Sequence, residues 1–323
     1  MELRTNNLLH LFLILSGVIL SSCLKEYPVP VSGNSGISET VTVEMGETYK
    51  NQIYYDLEEN VIVDIKDKDA WDIALTCSDT SYHLLLNSAK IMGAVHLENA
   101  TLQSSVSTSG HEWEYESPEG YYAQSALYNW DAKGGIYLVD AGLNYLGQHQ
   151  GYYKMQAELV ENGVKIRWVK TGETEEHEFI LQKDPAYNSV GLSFIHSDFV
   201  ETEPPADSWD LKFSVYTHIF EGHMPYSVVG ALVNPNKSFA LKTENPFSET
   251  DFNTLQGVTL KSELNTIGYD WKEFNFDQSL YEVYSHFTYL IQTRNEMAFK
   301  LRFVDFYSPD GVKGYPTFEL ESL

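Results

Sequence analysis

Apolar and polar residues alternate along Trp71-Asp72-Ile73-Ala74-Leu75, and the same rhythm returns 138 positions later in Trp209-Asp210-Leu211-Lys212-Phe213. In each copy an acidic turn leads into the Trp-Asp pair, and the period-two alternation predicts a half-buried strand. Other blocks recur in the same order. Ile136-Tyr137-Leu138-Val139-Asp140 and Tyr152-Tyr153-Lys154-Met155-Gln156 follow the first copy, while Thr288-Tyr289-Leu290-Ile291-Gln292 and Ala298-Phe299-Lys300-Leu301-Arg302 follow the second. Their offsets, 152 and 146 positions, differ from 138 by amounts that loop insertions explain. An aromatic and aliphatic run also precedes each Trp-Asp pair, from Ile53 to Leu57 and from Leu192 to His196. Four blocks in one order predict an internal duplication.

The remaining pattern is that of strands and turns. Val41 to Val43, Val61 to Ile65, Val164 to Trp168 and Leu301 to Phe303 alternate or are β-branched. Glu161-Asn162-Gly163, Asp131 to Gly135 and Ser308-Pro309-Asp310-Gly311 carry turn residues between such runs. Helical periodicity sustained over about ten residues is hard to find. With 22 Tyr, 16 Phe and 6 Trp, the chain reads as all-β. The duplication predicts two tandem β-rich lobes, residues 41–183 and 184–323, divided near Lys183-Asp184-Pro185.

Before these lobes the pattern changes character. Leu8 to Leu20 is an apolar run behind Arg4, of signal-peptide length and too short to span a bilayer. It ends in Leu20-Ser21-Ser22-Cys23, which resembles a bacterial lipobox. Residues 1–22 are therefore expected to be a lipoprotein signal peptide, with Cys23 acylated as the first mature residue and anchoring the chain to the membrane. Residues 23–40 include Pro28, Pro30, Gly33, Ser35 and Gly36 and should form a spacer. Lys25-Glu26 partly resembles the surface-export signal of Bacteroidetes lipoproteins, which points to the outer membrane and the cell surface. No second long apolar run follows, so the mature chain is expected to be tethered rather than membrane-spanning.

Charge and cysteines narrow the chemistry. A formal net charge of −25 repels phosphate backbones and argues against nucleic acid as a partner. Cys23 and Cys77 are the only cysteines. With Cys23 acylated, no disulfide framework and no cysteine-based zinc cluster can form. Enzyme signatures are missing as well: there is no G-x-S-x-G, H-E-x-x-H, Walker loop or suitably placed G-x-G-x-x-G. Glu58-Glu59 and Glu175-Glu176 are adjacent on extended or turn segments, so each pair points apart and cannot flank one bond. A binding protein is expected rather than an enzyme.

Trp71-Asp72-Ile73-Ala74-Leu75, Tyr289-Leu290-Ile291, Lys300-Leu301-Arg302-Phe303-Val304-Asp305-Phe306-Tyr307 and Gly314-Tyr315-Pro316-Thr317-Phe318 resemble the blocks of the HmuY family, the haem-binding surface lipoproteins of Bacteroidetes. The chain would then hold two HmuY-like β lobes. The resemblance implies a protein that captures haem, or a related porphyrin, outside the cell and passes it to a TonB-dependent outer-membrane receptor. It also implies iron held between two axial side chains, His with His in the namesake and Met-containing pairs in relatives. Imidazole nitrogen and thioether sulfur both ligate haem iron, and an aromatic cleft suits the porphyrin faces. Where members carry a Thr/Asn/Gly-rich stretch after W-D-I-A-F, this chain has Thr76-Cys77-Ser78-Asp79-Thr80-Ser81-Tyr82-His83 and, in the second copy, Ser214-Val215-Tyr216-Thr217-His218. The ligands must therefore be sought from their own surroundings.

The densest cluster is His218-Ile219-Phe220-Glu221-Gly222-His223-Met224-Pro225-Tyr226, with two imidazoles and a thioether in one hairpin-like segment. His218, His223 and Met224 are the leading candidate axial ligands, against a reading in which His218 alternates into a sheet face and His223 caps a turn. In the first copy the candidates are His83, Met92 and His96, against a reading of Met92 as core filler. His218 and His223 have a spacing compatible with zinc, but the cysteines that make such a pattern specific are missing. His111, His149 and His177 stand among polar residues and read as solvated. The alternative to haem is a surface lipoprotein of the same fold whose aromatics bind a glycan, peptide or partner protein.

Overall fold

The computed structural model describes residues 38–221, 223–255 and 257–323. The expected signal peptide, the acylated Cys23 and most of the spacer lie outside the described residues. In chain order the strands are β1 (Glu39–Thr42), β2 (Asn51–Asp56), β3 (Val61–Asp67), β4 (Ile73–Thr76), β5 (Leu84–Leu86), β6 (Gly93–Leu97), β7 (Glu114–Tyr115), β8 (Ile136–Asp140), β9 (Tyr152–Val160), β10 (Gly163–Lys170) and β11 (His177–Leu181). They continue as β12 (Ser189–Ser193), β13 (Asp198–Val200), β14 (Leu211–Phe220), β15 (Met224–Val233), β16 (Phe239–Thr243), β17 (Lys272–Asn275), β18 (Leu280–Val283), β19 (Thr288–Gln292), β20 (Ala298–Tyr307) and β21 (Lys313–Ser322). The helical pieces among the described residues are short 3-10 turns. The fold is all-β.

Two pairs of antiparallel sheets enclose two cores. One lobe joins the sheet β11-β10-β9-β8-β6-β7 to the sheet β13-β12-β4-β5. Ile73, Val139, Ile166, Trp168 and Leu192 meet between them. The other lobe joins β1-β21-β20-β19-β16 to β15-β14-β2-β3. Its centre is aromatic: Phe213 stacks on Phe318 at 5.4 Å, Tyr55 meets Phe318 edge-on, and Trp271 stacks on Phe303 at 3.9 Å. Each such side chain contributes about 2 kcal/mol when fully buried. Along β21 burial alternates, with Gly314, Pro316, Phe318 and Leu320 inward. In β4 it does not. All of Ile73–Thr76 is buried, because this strand is interior to its sheet, between β12 and β5, and both faces are covered.

The cores do not follow the sequence halves. β1, β2 and β3 sit in the lobe built from β14 to β21, and β12 and β13 sit with β4 and β5. Pairing crosses the expected boundary at 183/184 twice: Tyr55 opposes Leu211 of β14, and Gly191 opposes Ala74 of β4. Each run that precedes a Trp-Asp strand thus pairs with the Trp-Asp strand of the other copy. The N-terminal segment closes the second lobe against the last strand, with Met45 N donating to the Gly314 carbonyl at 2.9 Å. Gly314 has φ +95°, and a Cβ there would stand 2.3 Å from the Gly46 carbonyl, so glycine is required at this crossing.

Equivalent bonds recur in the two lobes. Asp72 N donates to Leu192 O (2.8 Å) while Phe194 N donates to Asp72 Oδ2 (2.7 Å). Asp210 N donates to Tyr55 O (2.8 Å) while Leu57 N donates to Asp210 Oδ2 (3.0 Å). Asn87 Nδ2 donates to the carbonyls of Lys68 and Trp71, and Asn234 Nδ2 to those of Ala206 and Trp209. Buried Lys154 donates to the carbonyls of Leu102 and Ser104, and buried Lys300 to those of Phe247 and Thr250. The repeated Asp and Lys are thus fixed by the backbone they bond.

Candidate functional site

The two Trp-Asp strands continue into hairpins of different length. In the first copy β4 and β5 are short, and His83 lies in the loop between them. In the second, β14 and β15 pair without interruption from Leu211↔Val233 to Phe220↔Met224. Alternation puts Phe213, Val215, Val229 and Ala231 into the core. The opposite face carries Tyr216, His218, Phe220, Met224, Tyr226 and Val228. Toward the tip this face opens to solvent, with Phe220 40 %, Met224 65 % and Tyr226 63 % exposed.

His218 is held within that face. Its ring meets Phe220 edge-on at 4.7 Å and Tyr269 at 4.9 Å, and Nδ1 is buried without a hydrogen-bond partner. Burial pushes its pKa down, against the pull of Glu119 and Asp270. The imidazole is therefore neutral at physiological pH, the form that ligates a metal. His223 occupies the turn with φ 59° and is exposed. Sequence proximity thus becomes a shared face for His218 and Met224, with His223 at the tip.

The first-copy candidates are scattered. His83 stacks on Tyr122 at 4.2 Å and lies 3.5 Å from Asp79. His96 Nε2 bonds the Gly134 carbonyl at 2.5 Å, and its ring lies 5.2 Å from that of Tyr137. Met92 is 1 % exposed and belongs to the first lobe's core. Its thioether fills space between strands, which corrects its reading as an accessible ligand. Cys77 is half-buried, and burial pushes its thiol up, away from nucleophilic character. Among the described residues no group of three or more His, Cys, Asp or Glu could hold a bare metal ion.

A second concavity lies between the lobes. This cavity, of about 270 Å³, is lined by residues of both, including Trp71, Leu86, Trp209, Lys212, Tyr216 and Leu232. None of the six candidate ligands lines it. Two buried carboxyls do, Glu116 and Glu203, each pushed up to about 7 by burial. Glu203 accepts from the backbone N–H groups of Asn188 and Ser189. Sequence reading missed this site, because its walls come from segments that only the fold brings together.

The likeness to solved structures is faint. Apo PinO from Porphyromonas gingivitis is 12% identical over 90% of this chain and 98% of that one, with a TM-score of 0.34. A Bacteroides vulgatus protein described as HmuY-like and heme binding is 11% identical over 90% and 96%, with a TM-score of 0.23. The apo HmuY analogue of Tannerella forsythia is 11% identical over 90% and 98%, with a TM-score of 0.27. At such identities and scores the likeness says nothing about a ligand of this chain. No curated protein matches the chain. The description HmuY protein, by contrast, matches residues 48–320, from just before β2 into β21. This chain belongs to the HmuY family.

Proposed function

We propose that this protein binds haem or a related porphyrin at the β14–β15 hairpin. The observation that carries this reading is a neutral imidazole, His218, with an unpartnered nitrogen on the same face as the exposed Met224. Phe220, Tyr226 and Tyr269 supply aromatic surface beside it. His218 would be one axial ligand, with Met224 or His223 the candidate for the other. Family membership supports a binding role rather than catalysis. Acylation at Cys23, display on the outer membrane and transfer of the haem to a TonB-dependent receptor complete the proposal. They rest on the sequence.

The same surface supports the alternative of a partner protein, glycan or peptide, because exposed aromatics continue past the hairpin. Phe276 is 84 % exposed and packs edge-on against Phe274, which in turn meets Tyr281. The discriminating experiment is a haem titration of the full chain followed by visible absorption in both redox states. A saturable low-spin spectrum is expected, lost in His218→Ala, altered in Met224→Ala and unchanged in His96→Ala. A chain with no specific spectrum, or one indifferent to His218, would leave the alternative.

A further inference from the structure

The cavity between the lobes has buried donors without partners among the described residues. Trp71 and Trp209, the repeated tryptophans, both stand on its walls, and neither indole N–H has a partner. Trp209 is 1 % exposed, and Tyr216 is 2 % exposed with its hydroxyl also unpartnered. An indole can only donate, and a buried donor left unpaired costs about 1–3 kcal/mol. Two equivalent orphans on one cavity point to an absent acceptor.

Lys212 adds an amine to the same walls, and burial pushes its pKa down against the pull of Glu203. It precedes Tyr216 on the same face of β14, and its Nζ lies 5.9 Å from the centre of the Tyr54 ring. It has no carboxylate at contact distance. Glu203 acts on it only at longer range, with one oxygen committed to two backbone N–H groups. The walls also carry Leu85, Leu86, Leu232 and Leu264, together with the carboxyls of Glu116, Glu119 and Glu203.

We propose that this cavity binds a small amphipathic carboxylate, an alkyl or aryl acid, separately from the hairpin site. The carboxylate would accept from Lys212 and the indole N–H groups, and the tail would lie along Leu85, Leu232 and Leu264. An amine and two donor-only indoles suit a carboxylate, which accepts on both oxygens. A neutral alcohol offers one oxygen and no charge, so it satisfies less of the site. The porphyrin reading is independent of this one.

The probe is octanoate, with octanol as its uncharged control. Titrated into the full chain and followed by calorimetry and tryptophan emission, octanoate should bind saturably at one site and at least about tenfold more tightly than octanol. Lys212→Met should weaken octanoate by about tenfold or more while leaving octanol unchanged. Leu232→Trp, which fills the cavity without removing a donor, should abolish octanoate binding, and His218→Ala should not affect it. Octanoate binding no tighter than octanol, or equally well to the Lys212 or Leu232 variant, overturns the proposal.

Discussion

The two Trp-Asp strands solve one backbone problem with different counter-ions. In the first lobe Asp72 takes the Phe194 N–H and pairs with Lys90, which is 1 % exposed and has no other carboxylate among the described residues. In the second, Asp210 takes the Leu57 N–H and pairs with Arg294 at 2.7 Å, while the same guanidinium reaches Asp56, also at 2.7 Å. Arginine can serve two carboxylates at once with its fork of donors, and lysine serves one here. The hairpins diverge too. One stops after a few residues, whereas the other runs ten residues per strand and carries His218 and Met224 outward. Repeated parts hold the lobes together, and the divergent extension is where a ligand can be met.

The largest expected effect comes from breaking the exchange of strands. Removing residues 1–67 takes Ile53, Tyr55 and Leu57 from the second core. The second lobe should then lose its near-UV circular dichroism and its cooperative unfolding. A truncated chain that still unfolds in one transition with full amplitude would show that β1 to β3 are dispensable.

Next come the buried pairs. Asp72→Ala leaves Lys90 buried and unpaired, and should cost about 3–5 kcal/mol in urea unfolding. Asp210→Ala leaves Arg294 its second partner and should cost roughly half as much. Equal losses would mean that Asp56 does not compensate.

Acidity separates the cavity from both cores. Glu116 and Glu203 titrate at 4.5 ordinarily and at about 7 in the fold. Between those values the folded chain holds more protons than the unfolded one, so stability falls as pH rises through that window and levels off above it. Glu203→Gln should remove its share of the fall, at most about 3 kcal/mol. A variant whose unfolding midpoint tracks pH as the parent's does would assign the dependence elsewhere.

The smallest contrast concerns the repeated lysines. Lys154→Met and Lys300→Met each strip two buried carbonyls of their donor and should each cost about 2 kcal/mol. The Lys300 change should cost slightly more, because Lys300 also meets Glu321 at 3.1 Å. A much larger loss at Lys154 would mean that the equivalent bonds do not carry equivalent weight.

Strand content and repetition could be read from the chain because both are local. Period-two runs such as Val164 to Trp168 of β10 declare their inward residues, and the Trp-Asp and Tyr-Lys blocks return in order. Pairing partners are not local. Ile53 to Leu57 has the same pattern whether it joins its own copy's Trp-Asp strand or the other's, so the exchange was hidden. Met92 beside Gly93 and Ala94 reads alike as core or ligand, and only its burial decides. The place of His218 on a sheet face was legible through alternation on β14. The cavity was not, since its orphan indoles belong to segments 138 positions apart.

Strand exchange also fixes the order in which the molecule can be completed. β1 to β3 are synthesised before the first lobe, but their partners β14 and β21 come after it. The first lobe can assemble from a contiguous stretch, whereas the second must wait for β1 to β3 to meet β14 to β21 across a large loop. Once β1 has paired with β21, the two strands are clasped side by side, and neither can fray without opening that sheet. Late closure should therefore make folding slow and, for the same reason, give the finished protein a long lifetime against unfolding from its ends.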